Sequence, residues 1–309
     1  MSDYCMFTKK EALQFARDRL GVVKLDQRLA TDRRGALDDI TTAFQTRLPF
    51  NNLSLMSAAR DDRRVWRRPT LEEIKQDILS GIGGLCFSLN VANFFILKAL
   101  GFNVLLASAT IAGRETHVTV YAQNVERAGD TYLAEASVGY PTFRAICLDC
   151  EESPVYRDSF LEYKYMKRDG KLLRLHRHGD LGCWRNVEPV LIDGWRVVYT
   201  AQLHGTANVE EFYPKFDKLY VYRLQAKDPL ITQFHAVFRL VQSPGNRAVM
   251  ISNRKLILEN ENGSLETIPL DGGDEEILAA VRRYFPGIPA EMARRALGNW
   301  RCTERYTSP

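Results

Sequence analysis

The chain has 309 residues, 45% hydrophobic and 26% charged, a balance that excludes a disordered protein and leaves room for two or three compact units. Its 42 basic and 38 acidic residues sum to a formal charge of +4, without the strongly basic footprint of a nucleic-acid or membrane binder. Met1 to Lys10 shows no basic start followed by an apolar core, so no secretory leader is expected and the cytoplasm is the expected compartment.

In chain order, the first eighty residues read as helical. Thr8 with Glu11 and Thr70 with Glu73 form two capping-box patterns ahead of apolar-periodic runs, and a further helix is expected over Arg34 to Thr46. Gly83-Gly84-Leu85-Cys86 leads into Phe87 to Leu100, apolar nearly all round and stopped by Gly101, which predicts a buried helix. The most apolar stretch, Val91 to Ala112, is interrupted by Asn93, Lys98, Gly101 and Asn103 and fails as a membrane span.

From Asn103 to about Asp193 the period becomes that of strands. Val104 to Ile111, His117 to Ala122 and Tyr132 to Ala136, set off by polar or glycine-containing turns, predict an antiparallel sheet or small barrel. The basic run Lys164 to His178 reads as an exposed excursion, with Lys167, Arg168 and Lys171 as candidates for contacting phosphate. Beyond a boundary near Gly205 to Pro214, strands over Ala236 to Val241, Ala248 to Ser252 and Lys255 to Glu259 and a helix over Glu275 to Tyr284 make a smaller α+β unit. The six cysteines form no evident disulfide framework; Cys147 and Cys150 have metal-ligand spacing, but no second pair follows, and no metal is expected.

One cysteine stands apart. Two glycines precede Cys86 at the mouth of a helix, where backbone N–H groups favour a thiolate over a thiol. An inert buried thiol is the bland reading of any single cysteine, and the hairpin downstream weighs against it. His117 and Glu135 lie on two candidate strands joined by Asn124 to Asp130, roughly equidistant from the turn, so they can meet across a ladder. A one-residue slip would part them, and a structural salt bridge or a surface histidine is the alternative. His176, His178 and His204 fall in polar segments, and His235 begins an apolar strand; none has a carboxylate beside it in sequence. A thiol on a helix N-terminus with a His–carboxylate pair is what nucleophilic acyl transfer needs: attack by sulfur, proton transfer by imidazole, orientation of the ring by the acid.

Arg47-Leu48-Pro49-Phe50-Asn51-Asn52-Leu53-Ser54, the Gly-Gly-x-Cys run and the His117/Glu135 hairpin occur in the order found in arylamine N-acetyltransferases. Tyr222 to Leu240 and Lys255 to Ile288 resemble that family's third domain, so the likeness covers nearly the whole chain. The resemblance implies an α+β fold on a transglutaminase-like cysteine-protease core: a helical domain over 1–101, an antiparallel β-barrel over 102–205 and an α/β lid over 206–309. It implies ping-pong N-acyl transfer, in which acetyl-CoA or another acyl-CoA acylates Cys86 and an arylamine, hydrazine or arylhydroxylamine takes the acyl group. His117 and Glu135 complete the catalytic set, and Phe50, Val138 and Gly139 contact the acceptor. No metal or redox cofactor is implied.

The chain departs from the family pattern at several positions. Ile82 stands where relatives carry arginine, Asn51 where they carry glutamate, Glu135 where they carry aspartate, and Val138 at an aromatic position; Ser88 replaces a common glutamate or glutamine. If the first two are ion-paired in relatives, losing both together avoids a lone buried charge. These changes keep two other readings open: a Cys-His-Glu amide synthase or thiol hydrolase with a different acyl donor, and a non-catalytic binding descendant of the fold.

Overall fold

The computed structural model describes residues 4–58, 67–111, 113–177, 190–220 and 237–307. Helices come first: α1 (Lys9–Asp18), α2 (Leu25–Thr31), α3 (Arg33–Arg47), the short α4 (Leu53–Met56), α5 (Leu71–Ser80) and α6 (Cys86–Ala99), with the two-residue strand β1 (Phe50–Asn51) between α3 and α4. Both expected capping boxes form, Thr8 and Thr70 accepting from the N–H groups of Glu11 and Glu73 while those carboxylates bond the cap N–H groups. Every residue from Cys86 to Leu97 is buried, as the all-round apolarity of that run predicts.

The middle of the chain is one antiparallel sheet. It comprises β2 (Asn103–Ile111), β3 (Arg114–Gln123), β4 (Thr131–Leu133), β5 (Ile146–Cys147), β6 (Tyr156–Asp158), β7 (Leu161–Arg168), β8 (Lys171–Arg177), β9 (Leu191–Ile192) and β10 (Trp195–Gln202). The strand order is β5-β4-β3-β2-β10-β8-β7-β6 with β9 paired to β10, and the sheet curls into a half-barrel. Leu106, Val118, Val120 and Ala122 belong to the helical core around α6, whereas Ala109, Tyr121, Tyr163, Tyr165 and Tyr199 fill the hollow of the curl.

The basic run is not an excursion. Lys164 to Arg177 lies within the β7–β8 hairpin, with Arg174 at 0% and His176 at 2% exposure. Its charges are interleaved with Tyr165, Leu172, Leu173 and Leu175, and that alternation makes a two-sided strand of a segment that charge alone would leave in water. Arg168 and Lys171 are exposed at the hairpin end and Lys167 is half-buried. His178 and His235 lie outside the described residues, and His204 is exposed after β10.

The last third forms a second antiparallel sheet, in the order β1-β11-β12-β13-β14, from β11 (Arg239–Gln242), β12 (Val249–Ser252), β13 (Lys255–Glu259) and β14 (Leu265–Pro269). Helices α7 (Tyr213–Tyr220), α8 (Asp274–Tyr284) and α9 (Ala290–Thr307) complete the chain. Two elements cross between units. β1 pairs with β11 at Phe50↔Val241, and α7 packs on the helical core through Phe216, whose ring centroid is 4.4 Å from that of Phe87. No helix among the described residues is long and apolar enough to cross a membrane.

Candidate active site

The turn ahead of α6 is built by close backbone approach. Gly83 has φ +75°, and a Cβ there would lie 2.1 Å from the Pro49 carbonyl oxygen, so only glycine fits. The Gly84 N–H donates to Pro49 O (3.2 Å) and the Asn51 N–H to Gly84 O (3.0 Å), stitching the turn to β1. The Asn51 amide donates to Ile82 O at 2.7 Å, so at the two positions where the resemblance would place a glutamate and an arginine a neutral amide–carbonyl bond joins the segments. Leu85 caps α6 without a side-chain hydrogen bond, leaving the first-turn N–H groups to face any negative charge at Cys86.

Cys86 is 4% exposed, its sulfur 3.6 Å from the carbonyl oxygen of Thr116, the residue before His117. His117 Nε2 is 3.1 Å from Glu135 Oε2, with both side chains wholly buried. The other ring nitrogen, Nδ1, is buried and makes no hydrogen bond among the described residues, and the neighbouring Cys86 sulfur helps hold the ring charged. Burial opposes that charge, but the Glu135 carboxylate and the Cys86 sulfur outweigh it and raise the His117 pKa well above its ordinary value. Burial likewise opposes the Glu135 charge, yet His117, Asn90 and Arg174 hold its carboxyl well below the usual range.

The pairing is reached differently from the expected ladder. β3 and β4 pair Tyr121↔Leu133, and regular pairing ends there, so Glu135 meets His117 diagonally from a segment beyond the strand. Ala134 N still bonds Val120 O (2.8 Å), but helix amides take over next: Asn93 donates to Ala134 O (3.0 Å), Gln45 to Glu135 O (3.0 Å), and Asn90 Oδ1 accepts from Ala136 N (3.0 Å). The Asn90 amide also donates to Glu135 Oε1 (2.9 Å), Val118 O (2.8 Å) and Ser137 O (3.2 Å), sharing two protons among three acceptors. Glu135 further accepts from Ser137 N and from the Tyr199 hydroxyl, each at 3.2 Å, and the Tyr199 ring lies 5.1 Å from that of His117.

Asn90 and Tyr199 are thus site residues that the sequence reading did not name. A signal existed for the first: Asn90 follows Cys86 by four positions and precedes Asn93 by three on an otherwise apolar buried helix, and buried amides must find partners. Of the expected acceptor contacts, Gly139 has φ +74° and its missing Cβ would sit 3.5 Å from the Phe50 ring, so Phe50 and Gly139 adjoin; Val138 beside them is 8% exposed. A cavity of about 300 Å³ touches the turn from another side, against Asn51, Gly84, Ser88, Asp77 and Tyr220, and Cys86 does not line it. No group of three or more His, Cys, Asp or Glu side chains among the described residues could hold a metal ion.

A sequence profile described as N-acetyltransferase matches residues 35–291. A search of curated proteins finds no match. Among solved structures, the arylamine N-acetyltransferase of Mycobacterium marinum in complex with CoA superposes with a TM-score of 0.71 at 16% identity, over 93% of this chain and 98% of that one. The Mycobacterium abscessus enzyme gives 0.69 at 18% identity, over 97% and 99%, and the Salmonella typhimurium enzyme 0.66 at 17%, over 93% and 98%. At these identities the likeness speaks for the fold.

The buried pair has a pH signature. His117 is raised from 6.5, so its contribution to stability is complete below pH 6.5 and fades as the pH climbs through the folded value. Glu135 is lowered from 4.5, so its contribution is complete above pH 4.5 and fades as the pH falls through the folded value. The excess melting temperature of wild type over Glu135→Gln should be widest between pH 4.5 and 6.5 and narrow on both sides. A gap independent of pH would show that the folded pair is not ionised.

Proposed function

Because the chain belongs to the arylamine N-acetyltransferase family, we propose that it moves an acetyl group from acetyl-CoA to the nitrogen of a small amine by way of a Cys86 thioester. The observation that carries this reading is the convergence of Cys86, His117 and Glu135 in one buried site, with a 3.1 Å bond between the last two. The CoA held by the Mycobacterium marinum structure supports an acyl-CoA as donor.

The chemistry divides into two half-reactions. The Cys86 thiolate attacks the thioester carbonyl of acetyl-CoA, the carbon–sulfur bond to CoA breaks, and the departing sulfur takes the proton of the His117 imidazolium. The amine then attacks the Cys86 thioester, neutral His117 accepts its proton, and thiolate and imidazolium are restored. Glu135 holds the ring through Nε2 and stabilises its positive charge in both directions. In this reading residues 1–101 supply the nucleophile, 102–205 the base and its acid, and 206–309 the lid, while Phe50, Val138 and Gly139 meet the acceptor. An aliphatic Val138 offers no ring for an arylamine to stack on, which favours smaller or less planar amines.

Incubation with acetyl-CoA should add one acetyl group to the intact mass, and Cys86→Ala should abolish both the adduct and turnover while the protein stays folded. Turnover in folded Cys86→Ala would sink the assignment.

Glu135 tests the reading more finely. Glu135→Gln keeps the shape but not the charge, and acylation should fall by roughly two to four powers of ten, as for other triad carboxylates. Glu135→Asp withdraws the carboxylate by one methylene from Asn90, Ser137 and Tyr199 together, so it should also be slower than wild type. An aspartate variant as fast as wild type would mean that the surroundings have not adapted to the longer side chain.

A further inference from the structure

The hollow of the curled sheet holds a cation that the mechanism leaves unused. Arg174 is wholly buried, and no salt bridge among the described residues includes it. Its guanidinium donates to neutral atoms only: Nε to His176 Nε2 (2.8 Å), Nη1 to Thr142 Oγ1 (2.8 Å) and Tyr165 OH (3.0 Å), Nη2 to Pro141 O (3.2 Å). The nearby buried carboxylate Asp158 is already matched by Arg144 at 2.5 Å and by the Tyr163 hydroxyl. An unmatched buried charge is costly, so its counter-charge must lie further off.

We infer that Arg174 is a positioning residue whose charge balances the active site, allowing Cys86, His117 and Glu135 to be ionised together in the interior. The inference rests on the proposed role of Cys86. A thiolate, an imidazolium and a carboxylate carry one net negative charge with little water to screen it. Arg174 brings the sum to zero.

The sheet supplies the connection. Tyr165 on β7, Arg174 on β8 and Tyr199 on β10 are cross-strand neighbours in one row. A bulge between Val197 and Tyr199 sets Val197 opposite Leu175 but Tyr199 opposite Arg174, so Tyr199 turns into the hollow while Trp195 and Val197 face the other way. A guanidinium only donates, so the Tyr165 oxygen accepts from it; the Tyr199 proton goes to Glu135. Tyr165 and Tyr199 thus flank Arg174 on the two neighbouring strands. Arg174 and Glu135 are therefore joined through one cross-strand neighbour of Arg174, Tyr199, whose hydroxyl donates to the carboxylate.

The other groups facing Arg174 leave its charge free for this task. Tyr163 and Tyr165 present their rings, 4.8 and 5.7 Å from the guanidinium carbon. His176 accepts through Nε2 and is kept neutral by burial, by Arg174 and by Arg196, its pKa lying well below the ordinary value. Arg174 in turn is among the groups that hold Glu135 ionised.

The test uses Arg174→Met, which fills similar volume without charge, and Arg174→Lys, which keeps the charge and loses the fork. Alkylation of Cys86 by iodoacetamide, followed by peptide mass analysis against pH, requires no acyl donor. In folded Arg174→Met the rate at pH 7 should fall about ten-fold or more and the profile should move to higher pH, while Arg174→Lys should react at least about threefold faster than the Met variant. A wild-type profile in Arg174→Met, or a lysine variant no faster than the methionine one, would overturn the inference. Should Arg174→Met fail to fold, the double variant Arg174→Met/Glu135→Gln removes both buried charges and should regain a cooperative melt; no recovery would assign Arg174 a packing role alone. Wild-type Cys86 no more reactive than the exposed Cys150 would instead overturn the reading of the site, before any Arg174 variant is made.

Discussion

The structure depends on keeping a carboxylate ionised where water does not reach. Glu135 is fully buried, and the curled sheet, α6 and the segment after β4 converge to supply its four donors: His117, Asn90, Ser137 and Tyr199. An ionised group in such a place is tolerable only when its lone pairs are filled and a positive charge is near, and here both conditions hold. A pre-paid arrangement of this kind needs little rearrangement when charge moves at the sulfur.

Helix and sheet are joined at this point by side-chain amides rather than by apolar contact alone. Asn90 and Asn93 replace the ladder partners that β4 loses after Leu133, so the chain leaves the sheet without stranding its backbone groups. The same two residues sit one and two turns from Cys86, so the nucleophile and the acid are referenced to one rigid helix. Placement on a common element limits relative drift between groups that act together.

Much of this was legible in the residues. The two capping boxes, the buried helix behind Gly83-Gly84, the strand carrying His117 and the helix over α8 follow from local chemistry and period, and the structure agrees with each to within a few residues. The order of motifs led to the right family. What stayed hidden was non-local. A run of basic residues has the same composition whether a strand buries Arg174 or a loop exposes it, and alternation with tyrosine and leucine was the cue that charge obscured. The bulge before Tyr199 breaks the period-two rule that would have placed it with Trp195 and Val197, and nothing in the local sequence announces it. The short helices α2 and α4 lie within the stretch read as helical but were not located one by one, and the strand β14 was missed, since so few residues carry too little periodicity to count.

The amide link between Asn51 and the Ile82 carbonyl has a consequence for how this site tolerates sequence change. An ion pair at these positions needs two compatible side chains, and drift at either one strands the other. Here the acceptor is main chain, which every residue type carries, so residue 82 contributes to the link whatever its side chain. Only Asn51 remains under constraint. The turn that presents the nucleophile has thereby become half as demanding in sequence terms, and position 82 is open to side chains chosen by the neighbouring apolar cluster of Leu53, Met56 and Phe285 alone.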